Sequence, residues 1–249
     1  MSAQADKQPT RPRSLLLPIS FAVLLAGLAA GGYFWNNSRM LARENEIRDE
    51  LKTAGAMIDP KDRAKYVYSV AMSLPGTRET ASEYLAKIGQ LSHMGHLDLT
   101  ETNVTDADLA ALRGASSLKS LVLNDTSVSD EGLKHLIGLP LTTLNLRRTK
   151  ITPAGLESLA QMGGLQVLDL SATDAVRQLE PLAKLTSLEW VVLSRAEIPD
   201  SVFDVLSQLP KLGRLTLQSA RLSEERLKKF HDENPRVQIE RGDADRVIE

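Results

Sequence analysis

The chain has 249 residues, 41 of them leucine, with aromatics at 4% and no cysteine. The missing thiol excludes a disulfide framework, thiol catalysis, Cys-ligated zinc and a cysteine-linked lipid anchor. Thirty basic against 32 acidic residues give a net charge of −2, which argues against a general nucleic-acid binder, since that needs a concentrated basic face.

Residues 1–14 make a short basic tail containing Lys7, Arg11 and Arg13. Leu15 to Trp35 then runs 21 residues without a charge, enough for a helix to cross a hydrocarbon core of roughly 30 Å. Pro18 falls in the first turn, where a missing N–H costs little. Tyr33, Phe34 and Trp35 close the run with side chains that favour the membrane interface. The segment reads as a single-pass transmembrane anchor rather than a cleaved signal peptide, whose apolar stretch is shorter. Short basic tails stay in the cytoplasm, so the remainder is expected on the far side, in a periplasmic setting. Gly27 and Gly31 form a GxxxG pair that lets two helices approach closely and offers a weak homodimer contact. Without Asp6, Lys7, Arg11 and Arg13, residues 36–249 carry −4, so this part is not expected to cling to anionic lipid.

Residues 36–91 read as a juxtamembrane helix followed by a capping region. Asn36 to Leu51 is polar and charged, as a surface helix is. Gly55 then stops the helix before a short strand near Ile58. Val67, Val70 and Met72 have strand spacing, and Leu85, Ile88 and Leu91 have helix spacing. Val70 precedes Leu97 by 27 residues.

From Met94 the chain repeats. Central leucine-type positions fall at Leu97, Leu121, Leu144, Leu168, Val191 and Leu215, alternately 24 and 23 residues apart. A partial copy follows at Val237 and Ile239. Each copy opens with LxL, the period of a strand, and continues with apolar residues three apart, the period of a helix. The helix-type pairs are Leu109/Leu112, Leu133/Leu136, Leu156/Leu159, Leu179/Leu182, Phe203/Leu206 and Leu227/Phe230. Thr105, Ser129, Thr152 and Ser223 stand where a hydroxyl caps a helix. Asp106, Asp130 and Glu224 follow in the first turn, where negative charge suits the helix dipole. The fourth copy is one residue short before Leu179, and Asp174 is expected to supply its cap.

This pattern, LxxLxLxxTxVTDxxLxxL, met over Leu118 to Leu136 with Ser129 at the second Thr position, resembles the leucine-rich repeat, in the variant found in many bacterial proteins, notably of planctomycetes. The resemblance covers about 92–239 and leaves 240–249 as a charged tail. It implies an α/β solenoid: a curved parallel sheet with helices on the convex side. It also implies that Thr102, Thr126, Thr149 and Thr173 form a ladder of hydroxyls bonding backbone where each strand turns. Ala196 and Ala220 interrupt that ladder. One repeat cannot bury its leucine face alone, so neighbours must stack and the first needs a cap, a role expected of 40–91, the alternative being a plain helical spacer.

Catalytic motifs are missing: there is no P-loop, HExxH or GxSxG. His93 and His96 make an HxxH pair without a spaced acidic ligand, so neither a metal site nor any cofactor is expected. Functional interest moves to the strand residues that flank the leucines and point the other way. Trp190 is the one tryptophan outside the apolar N-terminal run. Val167 and Val192 flank it, with Asp169, Arg195 and Arg214 around them. An apolar centre inside a polar rim is how binding hot spots are built. The alternative is that Trp190 lies beneath the segment from Glu240 to Glu249. The sequence therefore reads as a membrane-anchored, non-enzymatic leucine-rich-repeat protein that binds a protein partner through its concave face. The competing readings are a structural envelope protein that self-associates through its anchor, and a glycan binder, for which one exposed aromatic is too few.

Overall fold

The computed structural model describes residues 39–53, 56–62, 67–71, 78–91, 93–241 and 246–247. The anchor expected at 15–35, with Gly27 and Gly31, lies outside them. Among the described residues no helix is long and apolar enough to cross a membrane. The chain divides into two compact units, Met1–Asn45 and Glu46–Glu249. In the first, residues 39–45 are helical.

In the second unit, residues 46–53 are helical (α1). The strands are β1 (Met57–Asp62), β2 (Val67–Ala71), β3 (Met94–Asp98), β4 (Ser120–Val122), β5 (Thr143–Asn145), β6 (Val167–Asp169), β7 (Trp190–Val192), β8 (Arg214–Thr216), β9 (Gln238–Arg241) and β10 (Arg246–Val247). They form one sheet in chain order. β2 to β9 run parallel, while β1 and β10 close the two edges antiparallel. Val70, Leu97, Leu121, Leu144, Leu168, Val191, Leu215 and Ile239 stand in register across eight strands. From Leu97 to Ile239 every member of that row is 0% exposed. Adjacent strands lie about 4.8 Å apart, so each aliphatic side chain rests on the next. A fully buried leucine is worth roughly 1.5–3 kcal/mol over an exposed one.

The connections return along the opposite side through α2 (Arg78–Ile88), α3 (Asp106–Leu109), α4 (Asp130–Leu136), α5 (Leu156–Leu159), α6 (Ser201–Ser207) and α7 (Glu224–Glu233). The pairs three apart are all buried there. The fourth copy, one residue short, has no α-helix and crosses in two 3-10 stretches, Asp174–Arg177 and Glu180–Lys184. Asp174 does not cap it, because its carboxylate turns outward to Arg177 at 3.2 Å. At the N-terminal side Ile47 and Leu51 of α1 join Leu85 and Ile88 of α2 in the core. Lys87 links the same helices, 2.8 Å from Glu50 and 2.9 Å from Glu83. Those hydrogen bonds, first to Glu50 and then to Glu83, hold its ammonium well above the usual lysine range.

Each strand ends in the same turn. Thr102, Thr126, Thr149 and Thr173 donate their hydroxyls to the carbonyls of Leu99, Leu123, Leu146 and Leu170 at 2.6–2.7 Å. The expected hydroxyl ladder is present, and it ends at Ala196 and Ala220. The residue before each of these positions takes the left-handed conformation, from Glu101 (φ 59°) through Asp125, Arg148, Ala172 and Arg195 to Ser219 (φ 53°). This twist aims N–H groups at the following repeat, as in Asp125 N–H to Arg147 O at 2.8 Å.

The helix starts differ from the expected caps. Thr152 and Ser223 do accept an N–H, from Ala154 and Arg226. Ser129 does not cap; its N–H and hydroxyl both go to the Asp106 carboxylate of the preceding repeat, at 2.7 and 2.6 Å. Thr152 is held the same way by Asp130, at 2.9 and 2.6 Å. Asp106 and Asp130 thus stitch one repeat to the next as well as opening their own helices. Gly132 makes room for this, since a methyl group there would sit 2.5 Å from Asp106 Oδ1, and Gly155 does the same for Asp130.

Candidate functional site

Register fixes the face opposite the leucines. One row holds His96, Ser120, Thr143, Val167, Trp190, Arg214 and Gln238, and the next holds Asp98, Val122, Asn145, Asp169, Val192, Thr216 and Glu240. Trp190, Val167, Val192, Asp169 and Arg214 are half-buried, and Arg195 is exposed. All but Arg214 line one cavity of about 510 Å³, together with Thr143, Asn145, Arg147 and Glu240. A neighbouring cavity of about 560 Å³ is lined by Arg214, Lys211 and Gln238, and Trp190 and Val167 line both. Five of the six residues singled out in the sequence therefore share one cavity, and Arg214 adjoins them through the Trp190 ring.

Trp190 is held from two sides. The Arg214 guanidinium lies over its ring, 4.7 Å from the centroid, a cation–π arrangement. Its Nε1–H donates to Thr216 Oγ1 at 3.0 Å, and that hydroxyl donates to Glu240 Oε2 at 3.0 Å. Glu240 also faces Arg214 Nε at 3.4 Å. Glu240 thus completes the clamp through Thr216 and Arg214; the rest of the segment expected to lie over Trp190 falls largely outside the described residues. The clamp was legible in principle. Ile239 continues the leucine row, so Glu240 is the next member of the row containing Thr216.

Two arginines mark the remainder of the cavity. Arg195 occupies the left-handed turn position (φ 54°) and also lines a third cavity of about 720 Å³, with Asp174, Arg177 and Glu197. Arg147, not singled out in the sequence, is half-buried, and its Nε is buried without a hydrogen-bond partner. Asp169 Oδ1 accepts the Ser171 N–H at 2.8 Å, which fixes that carboxylate to its own turn. His96, from the HxxH pair, shares a 2.8 Å hydrogen bond with Ser120. Among the described residues no group of His, Asp and Glu is placed to hold a metal ion.

Two segments, 114–136 and 140–160, match the leucine-rich repeat family model. Internalin C2 from Listeria monocytogenes has a similar solved structure, with a TM-score of 0.52 and 23% identity over 71% of this chain and 80% of that one. A leucine-rich-repeat protein of Leptospira interrogans matches with a TM-score of 0.45 and 22% identity, over 62% of this chain and 45% of its own. No curated protein matches the sequence. The parallel sheet in chain order and the likeness to internalin C2 show the fold of a leucine-rich-repeat solenoid.

Proposed function

We propose that this is a membrane-anchored leucine-rich-repeat protein that binds a protein partner through the concave strand face around Trp190. The observation that carries this reading is the clamped, half-buried tryptophan shared by two open cavities. An aromatic ring fixed in place loses little entropy on binding, and such rings dominate interface energetics. The valines Val167 and Val192 supply an apolar floor, and Asp169, Arg195 and Arg214 a polar rim. No step of chemistry is assigned to any residue. The uncharged run from Leu15 to Trp35 supports the anchor, and the core positions of Ile47, Leu51, Leu85 and Ile88 support a cap ahead of the first repeat.

The test is crosslinking in native membranes, comparing the full chain with Trp190→Ala. Loss of a specific crosslinked partner, at unchanged melting temperature, supports the reading. Retention of every wild-type partner by Trp190→Ala sinks it. A second arm replaces Gly27 and Gly31 by leucine. Loss of a homodimer there, with no hetero-partner in the first arm, favours the structural envelope reading instead.

A further inference from the structure

The cavity beside Trp190 holds four formal charges, Arg147, Arg195, Asp169 and Glu240. They do not cancel locally. Glu240 is engaged by Arg214 and the Thr216 hydroxyl, and Asp169 by the Ser171 N–H. Among the described residues neither Arg147 nor Arg195 has a side-chain ion pair or hydrogen bond, and the Arg147 Nε is buried with nothing to accept its proton. That Nε is enclosed, so a ligand in the cavity meets the terminal Nη groups of Arg147, which have no hydrogen bond of their own among the described residues. A guanidinium offers two parallel donors, the geometry that fits a carboxylate. Resting against the same walls are Val167, Val192 and the Trp190 ring.

We propose that Arg147 and Arg195 form a carboxylate subsite beside Trp190, taking an Asp or Glu side chain from an extended acidic–apolar segment of the protein partner. This rests on the partner-binding reading above and names the chemistry of the segment. A carboxylate is favoured over a phosphate because the cavity already carries two acids of its own. Glu240 is matched by Arg214, which leaves the two arginines one positive charge ahead of Asp169, so a single carboxylate is neutralised and a dianion is not. The arginine positions also define a path. Arg147 follows β5 by two residues, and Arg195 stands at the rim beyond β7, where it opens onto the 720 Å³ cavity. An extended segment crossing the strands meets both.

The experiment uses the full chain in mild detergent and two blocked peptides, acetyl-Leu-Glu-Leu-Glu-amide and its glutamine counterpart. Arginine Nε–H and tryptophan Nε1–H signals are followed by NMR. The acidic peptide is expected to shift Arg147, Arg195 and Trp190, and the glutamine peptide to leave them in place. Arg147→Gln and Arg195→Gln should each weaken acidic-peptide binding roughly tenfold or more, with the melting temperature as the folding control. Equal binding of the glutamine peptide, or unchanged affinity in both arginine variants, overturns the subsite. Displacement of the peptide by inorganic phosphate at equal concentration overturns the carboxylate assignment in favour of a phosphoryl group. If no acidic peptide binds while Trp190→Ala still loses its crosslinked partner, only the carboxylate assignment falls. If the peptide binds through both arginines while Trp190→Ala keeps every partner, the partner reading falls.

Discussion

A single hydroxyl adds a second tie to four of the strand turns, which Ala196 and Ala220 make without it. The Thr149 Oγ1–H donates to the Leu146 carbonyl at 2.6 Å from a buried position. Thr149→Val keeps the shape and removes the bond, at an expected cost of about 1 kcal/mol, read from the urea midpoint. Ala196→Thr restores the missing rung in the fifth repeat and should gain about 0.5–1 kcal/mol. Equal midpoints for all three proteins would show that water serves these turns equally well. The residue before each rung takes the left-handed conformation without being glycine, which costs about 1–2 kcal/mol at each position. At Ala172 (φ 54°) there is no side-chain polar group to offset it. Ala172→Gly is therefore expected to stabilise, by about 0.5 kcal/mol after the glycine's own entropy cost. The threonine rung was readable from its fixed place in the repeat. The left-handed residue was not, because Glu, Asp, Arg, Ala, Arg and Ser occupy it in turn and share no chemistry.

Between elements the informative device is the aspartate that opens one helix and holds the start of the next. Thr-Asp and Ser-Asp pairs resemble local caps in sequence, since the same residues serve both purposes. Which partner wins depends on stacking: the following repeat brings Ser129 or Thr152 to the carboxylate, and two hydrogen bonds outweigh one. Asp130→Ala leaves the Thr152 N–H and hydroxyl unserved and should cost about 1.5–3 kcal/mol. Gly155→Ala should also destabilise, because its methyl group meets Asp130 Oδ1. The two changes share one atom, so their costs should not add. In the Asp130→Ala background the Gly155→Ala penalty is expected to shrink, measured as a double-mutant cycle in urea. A fully additive cycle would mean that the glycine serves some other purpose. At the last repeat the tie is ionic instead. Arg241 forks onto Glu224 at 2.6 and 2.7 Å and holds that carboxyl below the usual carboxylate range. A lowered folded pKa means the pair stabilises fully above the ordinary value of 4.5 and loses this as pH falls through the lowered one. Glu224→Gln should therefore lower the unfolding midpoint at pH 7 and match the wild type at pH 2. Equal midpoints at pH 7 would show the pair to be fully screened by solvent.

Over the whole repeat unit the two sides of the stack are coupled unequally. On the strand side the leucine row and the backbone ladder run unbroken from β3 to β9. Seven-fold recurrence made this side legible, and it is why the surface rows, and with them the meeting of Trp190, Val167, Val192 and Asp169, could be read from spacing alone. The unpaired state of Arg147 could not, because it depends on what nearby side chains leave unoccupied. On the helix side the aspartate stitching passes from Asp106 to Ser129 and from Asp130 to Thr152, and Pro153 then replaces the next aspartate. The fourth copy crosses in short 3-10 stretches, whose hydrogen bonds are poorer than those of an α-helix. Beside it lies the 720 Å³ cavity. In a stack stabilised by nearest neighbours, a weakened link opens locally before the rest unfolds. Amides of Asp174 to Leu185 are therefore expected to exchange with deuterium faster than those of α4, while Leu168 and Val191 in the adjoining strands stay protected. Because Arg195 lines that cavity as well as the one beside Trp190, loosening of this link reaches the proposed partner face. A bound acidic peptide should slow exchange in 174–185, although it touches none of those amides directly. Equal protection of 174–185 and α4 in the free protein would show that core packing alone couples the fourth copy to its neighbours.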